Sequence, residues 1–170
     1  MTDVIIIGAG ISGMTSALFA SDGGLTVRLI DKNGFSSNSM KADTLSALPF
    51  FNALTPIKFI EDMAIEVERR GIAVTRGKVL SVSKDGEYFS VGCNNGTYNS
   101  YSVIIAAGKG HGISFSSCQH IAVDEECRSS LSGLMLCGEA RRESGLLRCM
   151  ADGIVCAETA KEWIRGLSPR

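Results

Sequence analysis

The residues with the plainest chemical meaning stand near the start of the chain, where Gly8-Ala9-Gly10-Ile11-Ser12-Gly13 spells G-x-G-x-x-G. The first glycine permits a tight turn, the second lets a diphosphate approach the backbone, and the third lets a helix pack closely on a strand. The free N–H groups and positive end of that helix then meet the anion, so no lysine is needed to hold it. Asp31 follows about 20 residues on, at the spacing where a carboxylate accepts hydrogen bonds from both ribose hydroxyls. Glycines, helix and acid in this order predict a site for a dinucleotide, and by themselves they admit either NAD or FAD.

The cysteines form no comparable pattern. Cys93, Cys118, Cys127, Cys137, Cys149 and Cys156 contain no C-x-x-C pair and do not cluster with His111 and His120 as zinc ligands would. They read as free, mostly buried thiols in a reducing compartment, packing as small hydrophobes. Cys149 and Cys156 are seven residues apart, on one helix face but two turns from each other, so they are poorly placed to join.

The elements around the glycines have the required types. Val4 to Ile7 is a β-branched run suited to a strand buried on both faces. A helical pattern follows from Ser12, with Met14, Leu18 and Phe19 on one side, and stops at Gly23-Gly24, a place for a left-handed cap. Thr26 to Ile30 reads as the next strand and delivers Asp31. The serine-rich stretch 34–48 reads as a loop with a short helix around 42–48, ended by Pro49. After Pro56, the residues Ile57, Ile60, Met63, Ala64 and Val67 recur at helical spacing up to Gly71.

From there the spacing becomes alternating, through Ile72–Val74, Lys78–Ser83, Tyr88–Cys93 and Tyr98–Ser102, with turns expected at Asp85-Gly86 and Asn95-Gly96. These segments are expected to form an antiparallel meander. Val103–Ala107 and Leu134–Cys137 are further buried strands, and Gly145 to Trp163 a final helix. A meander does not suit the regular doubly wound NAD domain, and this favours FAD.

Length and composition agree with one domain. The 170 residues are enough to bury a core, 45 % are hydrophobic and 21 % charged, and a formal net charge of -1 gives no reason to expect nucleic acid. No apolar run approaches the roughly 20 residues that span a bilayer, and Asp3 stands where a signal peptide carries positive charge, so a cytoplasmic protein is expected.

Val4–Lys32, the segment around Lys78-Val79, Val103-Ile104-Ile105-Ala106-Ala107-Gly108 and Gly133–Ala157 together resemble the FAD-binding portion of thioredoxin reductases and related pyridine-nucleotide-disulfide oxidoreductases. The resemblance implies a three-layer α/β fold, a Rossmann-like parallel sheet with helices and a β-meander, spanning 1–170 as one domain. It implies FAD held by Gly8, Gly10, Ile11, Ser12, Gly13, Asp31 and Lys32. The backbone of Val79 would meet the adenine, Ala107 and Gly108 would close a strand beside the flavin, and Gly138-Glu139 would replace a Gly-Asp that holds the ribityl chain. Gly145, Leu146 and Leu147 would face the pyrimidine edge.

Two departures matter. The segment 109–120 is too short for the family's NAD(P)H-binding domain, and the C-x-x-C housed there is missing. Glu139 is one methylene longer than the family's aspartate. The closest match is therefore the short, thioredoxin reductase-related form. The implied activity is that of an FAD-dependent oxidoreductase module, reduced by NAD(P)H or by a small-molecule or protein partner. A homodimer covering the flavin is the expected assembly. A non-catalytic flavin- or nucleotide-binding subunit working through a partner protein fits the same residues. Near the flavin the resemblance also brings His111, as a proton carrier or a solvated loop residue; Arg141, Arg142 and Arg148, as an anion contact or a basic turn; Cys149, as packing or a redox thiol; and Phe50-Phe51, as core or a flavin cover.

Overall fold

The computed structural model describes residues 1–35, 55–108, 112–115, 122–141 and 145–167. The expected helix around 42–48, together with Pro49, Phe50, Phe51, His111, Cys118, His120 and Arg142, lies outside the described residues.

The apolar run at the start forms most of strand β1 (Thr2–Ile7), and its alternation decides the layering. Val4 and Ile6 point to one face of the sheet and join a core with Met14, Ala17, Ala20, Leu29, Ile60, Val67, Ile104, Cys156 and Ala160. Ile5 and Ile7 point to the other, against Val79, Val82, Phe89, Val91, Val103 and Ile105. Both faces of β1 are covered, which is why its residues are apolar without interruption.

β1 runs parallel to β2 (Val27–Asp31) on one side and to the last part of β6 (Gly96–Ile105) on the other. β3 (Ala73–Arg76) extends the parallel set beyond β2, and β8 (Leu134–Leu136) extends it beyond β6. β4 (Val79–Asp85), β5 (Tyr88–Cys93) and the first part of β6 form the antiparallel meander, with β7 (Ser114–Phe115) lying parallel on β4. Helices α1 (Ile11–Asp22), α2 (Pro56–Arg69) and α3 (Leu146–Gly166) supply side chains to the first of the two cores. The molecule is thus helices, parallel sheet and meander in three layers.

Several local expectations shift. Ile72–Val74 does not enter the meander: β3 pairs in parallel with β2, because α2 returns the chain to that edge. Tyr98–Ser102 and Val103–Ala107 are not two strands but one, β6, whose first part pairs with β5 and whose last part lies between β1 and β8. Both hairpin turns move by one residue. Asp85 pairs with Tyr88 and Cys93 with Gly96, so the turns are Gly86-Glu87 and Asn94-Asn95. Asn94 also explains its turn, since its side chain accepts from Lys78 N at 2.8 Å. Phe19 and Ile57 are exposed, and the left-handed residue after α1 is Gly24 rather than Gly23.

Phe19 is not needed for packing because α1 meets α3 through small residues. Ser16 Oγ lies 2.9 Å from Ser12 O and 3.0 Å from Gly153 O, sharing its proton across the two helices. A Cβ at Gly153 would stand 2.6 Å from Ser12 O and 2.9 Å from Thr15 Cβ. Replacing Gly153 with alanine is expected to force the helices apart and destabilise the protein by about 1–3 kcal/mol, the usual range for overpacking. Thermal unfolding checks this, with a fall of about 2–4 °C for each kcal/mol lost.

Candidate dinucleotide site

The three glycines are glycine for three different reasons. Gly8 has φ +106, and a Cβ there would lie 2.5 Å from Ala106 O, where the ends of β1 and β6 meet. Gly13 lies so close to the Gly8 carbonyl that any side chain would strike it. Gly10 has neither constraint: it caps α1 at φ −77 and ψ −176, and a Cβ would meet nothing within 4 Å among the described residues. Nothing among the described residues requires a glycine at this position.

Among the described residues the N-terminal end of α1 is without a compensating side chain. Met14 N donates to Gly10 O at 2.9 Å, while the N–H groups of Ile11, Ser12 and Gly13 fall in the first turn, where a helix offers no partner. No side chain caps the helix and its first turn holds no acid. Partial positive charge therefore faces the open side of Gly10.

At the end of β2, Asp31 does structural work beyond the sequence-level expectation. Its Oδ2 accepts from Ala9 N at 2.9 Å and its Oδ1 from Asn33 N at 2.7 Å, so it ties the glycine turn to its own turn. Each oxygen retains capacity for a further donor. Lys32 is exposed beside it. Gly77 N donates to Asp31 O at 2.9 Å and brings the start of β4, with buried Val79, to this end of the site.

On the other flank, Ala107 and Gly108 follow β6, and Gly138 and Glu139 follow β8. A Cβ at Gly108 would lie 3.8 Å from Glu139 Oε2, so the two turns adjoin. Gly138 sits directly on the Ser12 side chain, and a Cβ on it would be 3.6 Å from Cys149 Sγ. The last helix, capped by Gly145 at φ 103 without a side-chain bond, starts with buried Leu146 and exposed Leu147. Burial raises the Cys149 thiol above its ordinary value, partly offset by a hydrogen bond with Ser12. The structure thus draws together the first glycine turn, Ala107-Gly108, Gly138-Glu139 and the start of α3, with Asp31, Lys32 and Val79 toward the β2 side.

One residue of the site escaped the sequence reading. Asp152, in α3, is buried; its Oδ2 accepts from Gly138 N at 3.0 Å and its Oδ1 from Arg141 Nη1 at 3.2 Å. Arg141 Nη2 donates onward to Asp124 O at 2.9 Å, so this arginine is a structural clamp. The signal was present: Asp152 lies on the stripe Cys149, Gly153, Cys156, Ala160, where an acid is out of place unless paired.

A cradle with an open glycine, first-turn N–H groups without a capping side chain and a carboxylate at the end of the next strand fit an adenine dinucleotide. Residues 3–70 match a family described as the FAD binding domain. In these residues the chain is similar to FAD-binding domains, and over a longer stretch it is similar to thioredoxin reductases. A thioredoxin reductase of Treponema pallidum is 26% identical over 110 residues, which are 64% of this chain and 36% of that protein. The chain thus spans about a third of the length of the curated relatives it matches. The thioredoxin reductase of Lactococcus lactis in its FR conformation shares the fold with a TM-score of 0.84 at 14% identity, over 98% of this chain and 100% of that one. A ferredoxin-flavin thioredoxin reductase from Clostridium acetobutylicum does so with a TM-score of 0.81 at 14% identity, over 95% and 97%. Among the described residues no helix is long and apolar enough to cross a membrane.

Replacing Asp152 with alanine removes the acceptor of the buried Gly138 N–H and the carboxylate paired with Arg141. The expected loss is about 3 kcal/mol of unfolding free energy, the scale for breaking a buried pair. Urea denaturation of the purified variant measures it.

Proposed function

We propose that this chain is a one-domain flavin module of an oxidoreductase, in which FAD is held within residues 1–170 and electrons come from a donor outside the chain. The observation that carries this reading is Gly10, open on its outer side at a helix N-terminus that no side chain among the described residues caps. The diphosphate rests on the N–H groups of Ile11, Ser12 and Gly13, over Gly8 and Gly10. Asp31, with Lys32 beside it, takes the adenosine ribose, and the backbone of Val79 borders the adenine. Ala107 and Gly108 border the flavin, Glu139 takes the ribityl hydroxyls, and Gly145, Leu146 and Leu147 face the pyrimidine edge.

When bound, FAD supplies hydride or single-electron transfer, and the chain supplies position and electrostatics. The longer Glu139 side chain reaches toward Gly108, where its carboxylate closes the ribityl side of the cradle. The donor is free NAD(P)H or a separate small-molecule or protein partner. A protein donor is favoured by the shortness of 109–120, which holds no second nucleotide domain, and by the likeness to an enzyme whose name specifies ferredoxin. The missing C-x-x-C favours a second reading, a flavin-binding subunit that works through a partner, because no dithiol of that type leads electrons away. A homodimer shielding the flavin suits either.

Purified protein is expected to be yellow, with a flavin spectrum, and its bleaching without oxygen by NADH, NADPH or reduced ferredoxin identifies the donor. A yellow protein indifferent to all three supports the subunit reading. Replacing Gly10 with alanine separates binding from folding. The apoprotein should unfold at the same or slightly higher temperature, since the backbone there suits alanine. FAD affinity should fall at least tenfold, or about 1.4 kcal/mol, by fluorescence titration. Unchanged affinity in that variant refutes the site.

A further inference from the structure

The start of β4 borders the adenosine end of the proposed site, and the β4–β5 ladder does not fix it by itself. Val79 pairs with Cys93 and Ser81 with Gly92, so Leu80 is an extra residue on β4. A bulge of this kind bends its strand and re-aims the backbone beside it. The segment 76–79, which leads from the end of β3 past Asp31, therefore depends on further restraints. One is Gly77 N, which donates to Asp31 O at 2.9 Å. The others come from the turn between β5 and β6.

Asn94 N donates to Lys78 O at 3.0 Å and Asn94 Oδ1 accepts from Lys78 N at 2.8 Å, so one residue engages both backbone groups of Lys78. Asn95 reaches two residues further back along the same segment, where its Nδ2 donates to Arg76 O at 3.0 Å. Between these bonds lies Gly77, at which a Cβ would stand 2.9 Å from Asn95 Oδ1 and 3.2 Å from Nδ2. The Asn95 amide thus sits over backbone that a side chain at 77 would obstruct. Asparagine is common in turns because it tolerates left-handed backbone, but that is not its use here. Among the described non-glycine residues only Cys127 has positive φ. What distinguishes the two positions is the bond each side chain makes: an acceptor at 94, a donor at 95.

We propose that Asn94 and Asn95 are positioning residues for the adenosine half of the bound nucleotide, holding 76–79 where Val79 borders the adenine. The inference rests on the flavin reading above and adds which half of the cofactor these two residues serve. The residues assigned to the flavin half, Gly108, Glu139 and the start of α3, take no part in these bonds. Loss of either amide therefore weakens ligands that carry adenosine and spares those that carry only the flavin half.

The test uses the full chain, stripped of nucleotide and titrated calorimetrically with FAD, with ADP as the adenosine half and with FMN as the flavin half. Both asparagines are exposed, so Asn94→Ala and Asn95→Ala open no buried cavity, and thermal unfolding of the apoproteins checks that they fold. Each is expected to lower the affinity for FAD and ADP by the same factor, about threefold to tenfold, the scale of one hydrogen bond, with FMN affinity unchanged. Asn94→Asp keeps an oxygen for Lys78 N and should retain wild-type FAD affinity. Asn95→Asp removes the donor and sets a carboxylate against Arg76 O, so it should bind FAD no better than the alanine variant. These two variants make the comparison even if the alanine variants fail to fold. The inference is overturned if FMN affinity falls as far as FAD affinity, if both alanine variants keep wild-type FAD affinity, or if aspartate serves equally well at 94 and 95. In each of those results the wild-type protein still takes up FAD and the flavin reading stands. A wild-type protein that takes up no FAD overturns that reading, and this inference with it.

Discussion

The close seating of α1 on the ends of β1 and β6 is the constraint from which the site follows. Gly13 has no room for a side chain against the Gly8 carbonyl, and Gly8 has none against Ala106 O. Two contacts of this tightness leave the helix one position along the strand ends. Its first-turn N–H groups then point where the described residues offer no capping side chain. Asp31 locks the same turn from the side by accepting from Ala9 N, so a residue expected only to bind sugar also holds the backbone that meets the phosphates.

The second half of the site depends on the first through the α1–α3 contact. Ser12, Ser16 and Gly153 let the two helices approach closely, and Ser12 itself packs on Gly138. The turn after β8 is therefore set by α1 as well as by its own strand. Asp152 completes the arrangement from α3, since its bond to Gly138 N makes helix and turn one unit. Turns far apart in sequence, after β1, β6 and β8, are brought to one end of the parallel strands beside the start of α3.

Much of this was readable from residue order because the early elements are local and strongly patterned. The run Val4–Ile7, the glycines and Asp31 each name their own environment. What escaped was set by partners distant in sequence. β6 was divided in two because its first part has polar alternation and its last part does not; the change marks where its neighbours switch from β5 alone to β1 and β8. Ile72–Val74 has strand character, but nothing in its own residues says whether its neighbour is parallel β2 or a hairpin partner. Phe19 falls on one side of its helix with Met14 and Leu18 by spacing, whereas the helix contact selected small residues and left Phe19 exposed. What Asp152 holds is not legible in its own helix because both of its partners, Gly138 N and Arg141, lie outside it.

Arg141 links the segment around Cys127 to the turn after β8. Its guanidinium meets the Cys127 sulfur, the Asp152 carboxylate and the Asp124 carbonyl, and Asp152 in turn holds Gly138. The carboxylate is therefore shared between the turn and the arginine. The position of Gly138 depends on the segment at 124–127 as well as on α3, because the contacts run in one order: carbonyl and sulfur, guanidinium, carboxylate, turn.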